Sequence, residues 1–289
     1  MIDVVFSDID GCFVPHGYDP LGVVQTDGDS EPYFEHYRVY SGPQIVLCTG
    51  RAWVNTHGIL RRAKFLPSQR RAWPDQPALC ENGIDVITDP INSNKTSLID
   101  EKKEFDHLRP VVERIKSAGG ELELILDNIR EELEGEFGRS ITPIQLIKKD
   151  FCVTARIPHF EGTAQQVDPP RFYQSVTGAI QGPLGALVKD GCVQIVLSAS
   201  AVDVTLPIGK GDGVKYLLER YGTSPSQAAY IGDSAPDIEG MKEVGLACCP
   251  SNAVPAVKDF VASRGSRGYV SPLKFADAEI DILNYIIEL

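Results

Sequence analysis

Two aspartates separated by one residue close the apolar run that opens the chain, IDVVFSDID over residues 2–10. Carboxylates so close to a core are costly unless something binds or uses them. Similar groups stand after two later apolar runs: Thr49 and Gly50 follow IVLC (45–48), and Asp233, Ser234 and Asp237 follow AAYIG (228–232). Lys210 sits in LPIGKGDG (206–213), just before a helical pattern. Asp-x-Asp-Gly alone also describes a solvated turn after a strand; the other strand ends lower the weight of that reading. Together these residues suit phosphoryl transfer. A hard cation such as Mg²⁺ can join clustered carboxylates, one carboxylate can attack phosphorus, and its neighbour can carry the proton. A lysine and a hydroxyl can hold the peripheral phosphate oxygens.

Short apolar runs that end in small, acidic or hydroxylic residues predict buried parallel strands of an α/β sheet, which binds ligands beyond the strands' carboxyl ends. Three amphipathic helices are expected after Lys210: 212–222 closed by Gly222, 236–245 and 254–262. Residues 84–206 read differently, as an α+β insert with its own sheet. Strands are expected at 121–127, 151–157, 193–199 and 202–207, and helices at 101–118, broken or restarted at Pro110, and at 169–181, opened by Pro169 and Pro170. The domain expectation is a core of 1–83 and 207–289 around an insert of 84–206. Residues 15–43, rich in Gly, Asp, Tyr and Pro, read as a long loop or flap.

The 289 residues allow one large or two modest domains, and a formal net charge of −12 argues against nucleic acid or an anionic membrane as partner. No apolar stretch approaches the roughly 20 residues that span a bilayer, and the acidic start is unlike a signal peptide. The seven cysteines include no CxxC pair and lie mostly in apolar segments, which reads as core thiols of a cytoplasmic protein. A P-loop is rejected because Val204 and Gly211 occupy its required Gly and Ser/Thr positions, and the glycines around Lys210 miss the dinucleotide spacing at Val214. His16, His36, His57, His107 and His159 lack zinc-ligand spacing. Arg51 either reaches substrate or contacts the neighbouring helix, and Arg130, Arg156 and Arg171 read first as surface or structural residues.

The four pieces SDIDGC (7–12), CTGR (48–51), Lys210 in IGKGDG (208–213) and GDSAPD (232–237) resemble, in order, the motifs of haloacid dehalogenase superfamily phosphatases. CENG (80–83) is similar to the turn at which one subgroup passes from core to a large α/β cap. That subgroup includes Cof-like, sucrose-phosphate and mannosyl-phosphoglycerate phosphatases, and phosphomannomutase. The resemblance implies a Rossmann-like parallel-sheet core with an inserted cap, and a Mg²⁺-dependent phosphatase acting on a small phosphorylated metabolite through an aspartyl-phosphate. It implies Asp8 as nucleophile and Asp10 as general acid/base. Asp8, the Asp10 carbonyl and Asp233 would hold metal with Asp237 in support, and Thr49, Gly50, Lys210 and Asn252 would hold phosphate. Two departures stand out: Pro236 occupies the usual Asn position before Asp237, and an acidic, aromatic stretch fills 27–40. The rival functions are a phosphomutase on the same scaffold, a phospho-acceptor module and a binding protein without turnover.

Overall fold

The computed structural model describes residues 1–14, 40–54, 56–57, 59, 72–89, 94–163, 165–197 and 201–289. The expected loop at 15–43 therefore lies almost wholly outside the described residues. The chain divides into two compact units, Met1–Glu101 with Ile208–Leu289, and Lys102–Pro207.

The first unit starts with strand β1 (Val4–Ser7), buried along its whole length as its unbroken apolar run requires. Strand β2 (Gln44–Leu47) pairs with it in parallel, Val4 opposite Gln44 and Ser7 opposite Leu47. Strands β3 (Ala78–Cys80), β4 (Asp85–Asp89) and β5 (Asn94–Ser97) form a small antiparallel sheet, with the turn Glu81–Gly83 between β3 and β4. The division between units falls after Glu101, whereas the sequence set the join at Gly83. Strands β4 and β5 stay with the first unit because they continue the sheet that β3 begins.

The second unit opens with helix α1 (Arg109–Phe137), which has Pro110 in its first turn and Gly138 (φ 62°) as its left-handed end. Residues 121–127 were expected as a strand and lie inside this helix. The Glu-Leu alternation there fits either period, but exposure decides it: Leu122 and Leu126 are 3% and 4% exposed, and Leu124 is 70%. In a strand all three would share one face; in a helix the four-residue spacing of Leu122 and Leu126 leaves Leu124 outside. Strands β6 (Leu146–Lys148) and β7 (Val153–Arg156) follow, then helix α2 (Pro169–Lys189) and strands β8 (Gln194–Leu197) and β9 (Ala201–Thr205). The sheet runs β6-β7-β9-β8, antiparallel throughout. Helix α2 buries Phe172, Val176, Ile180 and Leu184 at helical spacing, and α1 packs against it.

The chain returns to the first unit with helix α3 (Lys210–Tyr221), ended by Gly222 at φ 65°. Strand β10 (Ala228–Ile231), helix α4 (Asp237–Lys242), strand β11 (Leu246–Cys249), helix α5 (Pro255–Ser263), strand β12 (Gly268–Val270) and helix α6 (Phe275–Glu288) complete it. The five-stranded sheet has the order β12-β11-β10-β1-β2, every pair parallel. From β1 the chain proceeds to β2 on one side, and later to β10, β11 and β12 on the other. The carboxyl ends of β1 and β10 are therefore a topological switch point, where such sheets open a crevice. Six of the seven cysteines are buried and Cys192 is partly so. Among the described residues no helix is long and apolar enough to cross a membrane.

Candidate active site

Asp8 is the first residue beyond β1, and its N–H still donates to Ile231 O of β10 at 2.9 Å. The side chain turns back, with Ile9 N donating to Oδ1 at 2.7 Å and Lys210 Nζ lying 3.0 Å from Oδ2. Lys210 reaches this point because it is the first residue of α3, and its ammonium is 2% exposed. The same nitrogen donates to Asp237 Oδ1 at 2.6 Å, which also accepts from Tyr230 OH at 2.9 Å. Asp237 Oδ2 accepts from Asp233 N, Ser234 N and Ser234 Oγ at 3.1, 2.9 and 2.8 Å. Pro236 does not displace this carboxylate. Its φ of −59° suits both proline and the helix entry, and Asp237 is fully buried.

Asp8, Asp233 and Asp237, all buried, each offer a carboxylate oxygen within 4.8 Å of the others, a set that could hold a metal ion. Burial lifts the Asp8 carboxyl to about 8; Lys210 pulls it down, and Asp237, Asp233 and Asp10 push it up. Burial works against the charge on Lys210, but Asp237 and Asp8 outweigh it and leave the ammonium well above the usual lysine range. Tyr230, raised first by burial and then by Asp237, stays a protonated donor.

Asp10 sits where the chain leaves the sheet, at a turn helped by Gly11 at φ 83°. Its carboxylate takes a two-pronged contact, Arg51 Nε to Oδ2 at 2.7 Å and Arg51 Nη2 to Oδ1 at 2.6 Å. Arg51 thus holds Asp10. Thr49, buried past the end of β2, accepts from Arg51 N at 3.1 Å. The Thr49–Arg51 turn is tied to the next one, with Glu81 N donating to Arg51 O and Asn82 N to Thr49 O, each at 3.0 Å. Asn252 lies farther round. Its Nδ2 donates to Gly11 O at 2.9 Å and its Oδ1 accepts from Phe275 N at 2.9 Å, so its amide braces the loop after β1.

The structure brings Asp8, Lys210, Asp233 and Asp237 together, sets Thr49 and Gly50 one strand away, and spends the Asn252 amide on main chain. Sequence reasoning missed Tyr230 and the Arg51–Asp10 pair. Tyr230 gave no polar signal inside AAYI, whereas the position of Arg51 directly after Thr49-Gly50 was a usable hint.

Residues 202–263 match the haloacid dehalogenase-like hydrolase family. A phosphoglycolate phosphatase of Metallosphaera sedula is 44% identical over 52 residues, which cover 18% of this chain and 23% of that protein. The match thus spans about a quarter of that relative's length. Among solved structures, the sucrose-phosphatase of Synechocystis sp. PCC6803 in complex with sucrose and phosphate aligns over 99% of this chain and 98% of its own. Its TM-score is 0.56 at 17% identity. A putative HAD/COF-like hydrolase from Plasmodium vivax aligns over 99% and 96% with a TM-score of 0.59 at 15% identity. A haloacid dehalogenase-like hydrolase from Bacteroides thetaiotaomicron aligns over 99% and 100% with a TM-score of 0.57 at 13% identity. At these identities the structures speak for the fold, which this chain shares with haloacid dehalogenase-like hydrolases, and residues 202–263 carry a sequence likeness to the same family.

Proposed function

We propose that this chain is a phosphatase that hydrolyses a small phosphate monoester through an aspartyl-phosphate, with Mg²⁺ as cofactor. The observation that carries the reading is the crowding of Asp8, Asp233 and Asp237 around Lys210 at the switch point of the parallel sheet. The donor set suits a hard cation, because burial first, and the neighbouring carboxylates after it, hold Asp8 near 8 even with the Lys210 ammonium beside it. Both oxygens of Asp237 are already filled by donors, which favours Asp8 and Asp233 as direct ligands, joined by the Asp10 carbonyl, and Asp237 as the group that orients them. When bound, Mg²⁺ would neutralise phosphate charge and keep Asp8 ionised.

In the first step an Asp8 carboxylate oxygen bonds to phosphorus and the bond to the leaving oxygen breaks, Asp10 giving that oxygen its proton. In the second, Asp10 takes a proton from water as the water oxygen attacks phosphorus. The bond to Asp8 breaks, inorganic phosphate leaves and the carboxylate is restored. Lys210, the Thr49 hydroxyl and the Gly50 N–H hold the peripheral oxygens as charge shifts among them. Each Asp10 oxygen faces an Arg51 N–H, so delivering the proton requires Asp10 to part from at least one of them.

These residues touch phosphate, metal or the moving proton, so none tells one leaving group from another. That task falls to the inserted unit, the cap of this reading. The sequence relative is named for phosphoglycolate and the sucrose-phosphatase was solved with sucrose and phosphate; a phosphorylated sugar or small acid is the substrate class we favour. Seven free thiols suit the reducing cytoplasm. The test is phosphate release from a panel of phosphorylated metabolites and an aryl phosphate, with and without EDTA. We expect Mg²⁺-dependent release and at least a ~10⁴-fold loss in Asp8→Asn with an unchanged melting temperature. Near-normal turnover in Asp8→Asn would sink the mechanism, and aryl phosphate turnover without net release on a sugar phosphate would favour the mutase.

A further inference from the structure

We infer that Asn82 is a further phosphate-binding residue of this site, its side-chain amide donating to an oxygen of the transferred group. The inference rests on the phosphatase reading. Glu81, Asn82 and Gly83 make one tight turn with φ angles of 48°, 60° and 94°. On one side the turn is bonded to the Thr49–Arg51 turn, Asn82 N to Thr49 O at 3.0 Å. On the other it abuts the start of α3: a Cβ on Gly83 would lie 2.8 Å from Gly209 O and 3.0 Å from Lys210 Cα. Asn82 therefore stands between the two pieces assigned to phosphate, Thr49–Gly50 and Lys210. Its side chain lies over Gly50, where a Cβ would come within 3.0 Å of Oδ1 and 3.8 Å of Nδ2.

Asn82 is 7% exposed, and its Nδ2 is buried with no hydrogen-bond partner among the described residues. An unmet buried donor is unfavourable and uncommon in folded proteins. The turn does not demand it, since glycine accepts a positive φ without bringing an amide. What Asn82 adds is a donor beside Gly50 that lacks an acceptor, and an anion bound between Thr49 and Lys210 would supply one after a small adjustment of the side chain. The Gly83–Gly213 approach, 2.8 Å from a Gly213 Cβ to Gly83 O, keeps the turn pressed to α3 and fixes where that amide sits.

The test is calorimetric binding of inorganic phosphate to the full chain, with Mg²⁺ present, for wild type, Asn82→Gly, Asn82→Asp and Lys210→Met. Glycine keeps the positive φ and removes the amide; aspartate keeps the shape and replaces the donor by an acceptor. We expect Asn82→Gly to weaken phosphate binding about tenfold or more with its melting temperature maintained, and Asn82→Asp to weaken it further. Wild-type affinity in a folded Asn82→Gly or Asn82→Asp, while Lys210→Met loses binding, overturns the role of Asn82 and leaves the phosphatase reading standing. A purely structural residue would give that first result, because glycine restores the turn. No phosphate binding by the wild type overturns the reading itself and this inference with it.

Discussion

The two units bury polar groups in opposite ways. In the second, Thr154 donates to Asp203 directly across the β7–β9 pair, and Lys149 Nζ stands 3.5 Å from the same carboxylate. Cation, anion and hydroxyl satisfy one another within a sheet. In the first, Asp8, Asp233 and Asp237 share one small region with Lys210, and Asp8 is still held near 8 despite it. A matched set stabilises a sheet, whereas an overcrowded acidic set persists where chemistry uses it. The outer charges differ as well. Arg171 of α2 pairs with Glu132 and Glu136 of α1 at 2.8 Å each on the helix surfaces, where solvent screens the gain.

The sharpest way to break this contrast is Lys210→Met. It leaves two buried carboxylates without their ammonium, so we expect kcat/KM to fall by about 10³-fold and stability by about 3–5 kcal/mol, read by phosphate release and urea unfolding. A variant as stable and active as wild type would put the first unit on the same footing as the second. Next is Arg51→Lys, which cannot make the two-pronged contact with Asp10. A drop of about 10–10²-fold in kcat with the melting temperature unchanged is expected; an unaltered kcat would make the pair incidental.

A smaller effect is the coupling of metal to proton at Asp8. Its carboxyl lies near 8 when metal-free and near 4 when unfolded, so its protonated form favours the fold at low pH. That contribution is lost as pH rises from about 4 through 8, and Mg²⁺, which needs the carboxylate, should offset the loss. The rise in melting temperature on adding Mg²⁺ is therefore expected to grow between pH 6 and 8, and a rise that shrinks over that range would refute it. The smallest effect belongs to Arg171→Ala. Its surface pairs should leave kcat/KM within about twofold of wild type; a large loss would mean that α2 takes part in the site.

The strands and the acids at their ends were legible because a parallel strand buried on both faces leaves an unbroken apolar run, and a carboxylate at its end stands out against it. Asp8 and Asp233 stood out that way, and Lys210 by its place just before a helical pattern. Residues 121–127 were misread because alternating Glu and Leu satisfies either period, and only the packing of Leu122 and Leu126, with Leu124 left outside, chose the helix. Helix α6 was not foreseen, yet it supplies Ile282, Leu283 and Ile286 to the core.

The amino-acid order by itself determined which chemistry was available, because residue type sets charge and hydrogen-bonding capacity before any folding. Only tertiary structure decided how those groups were spent. Ser7 and Ile231 lie 224 residues apart in number, yet their register opposite one another sets Asp8 beside the residues after β10. Arg51 found Asp10, Tyr230 found Asp237, and Asn252 turned its amide to Gly11 O and Phe275 N, none of which spacing along the chain encodes. Hydrogen bonds act over about 3 Å, so a partner is chosen by where the sheet and its turns bring two atoms together.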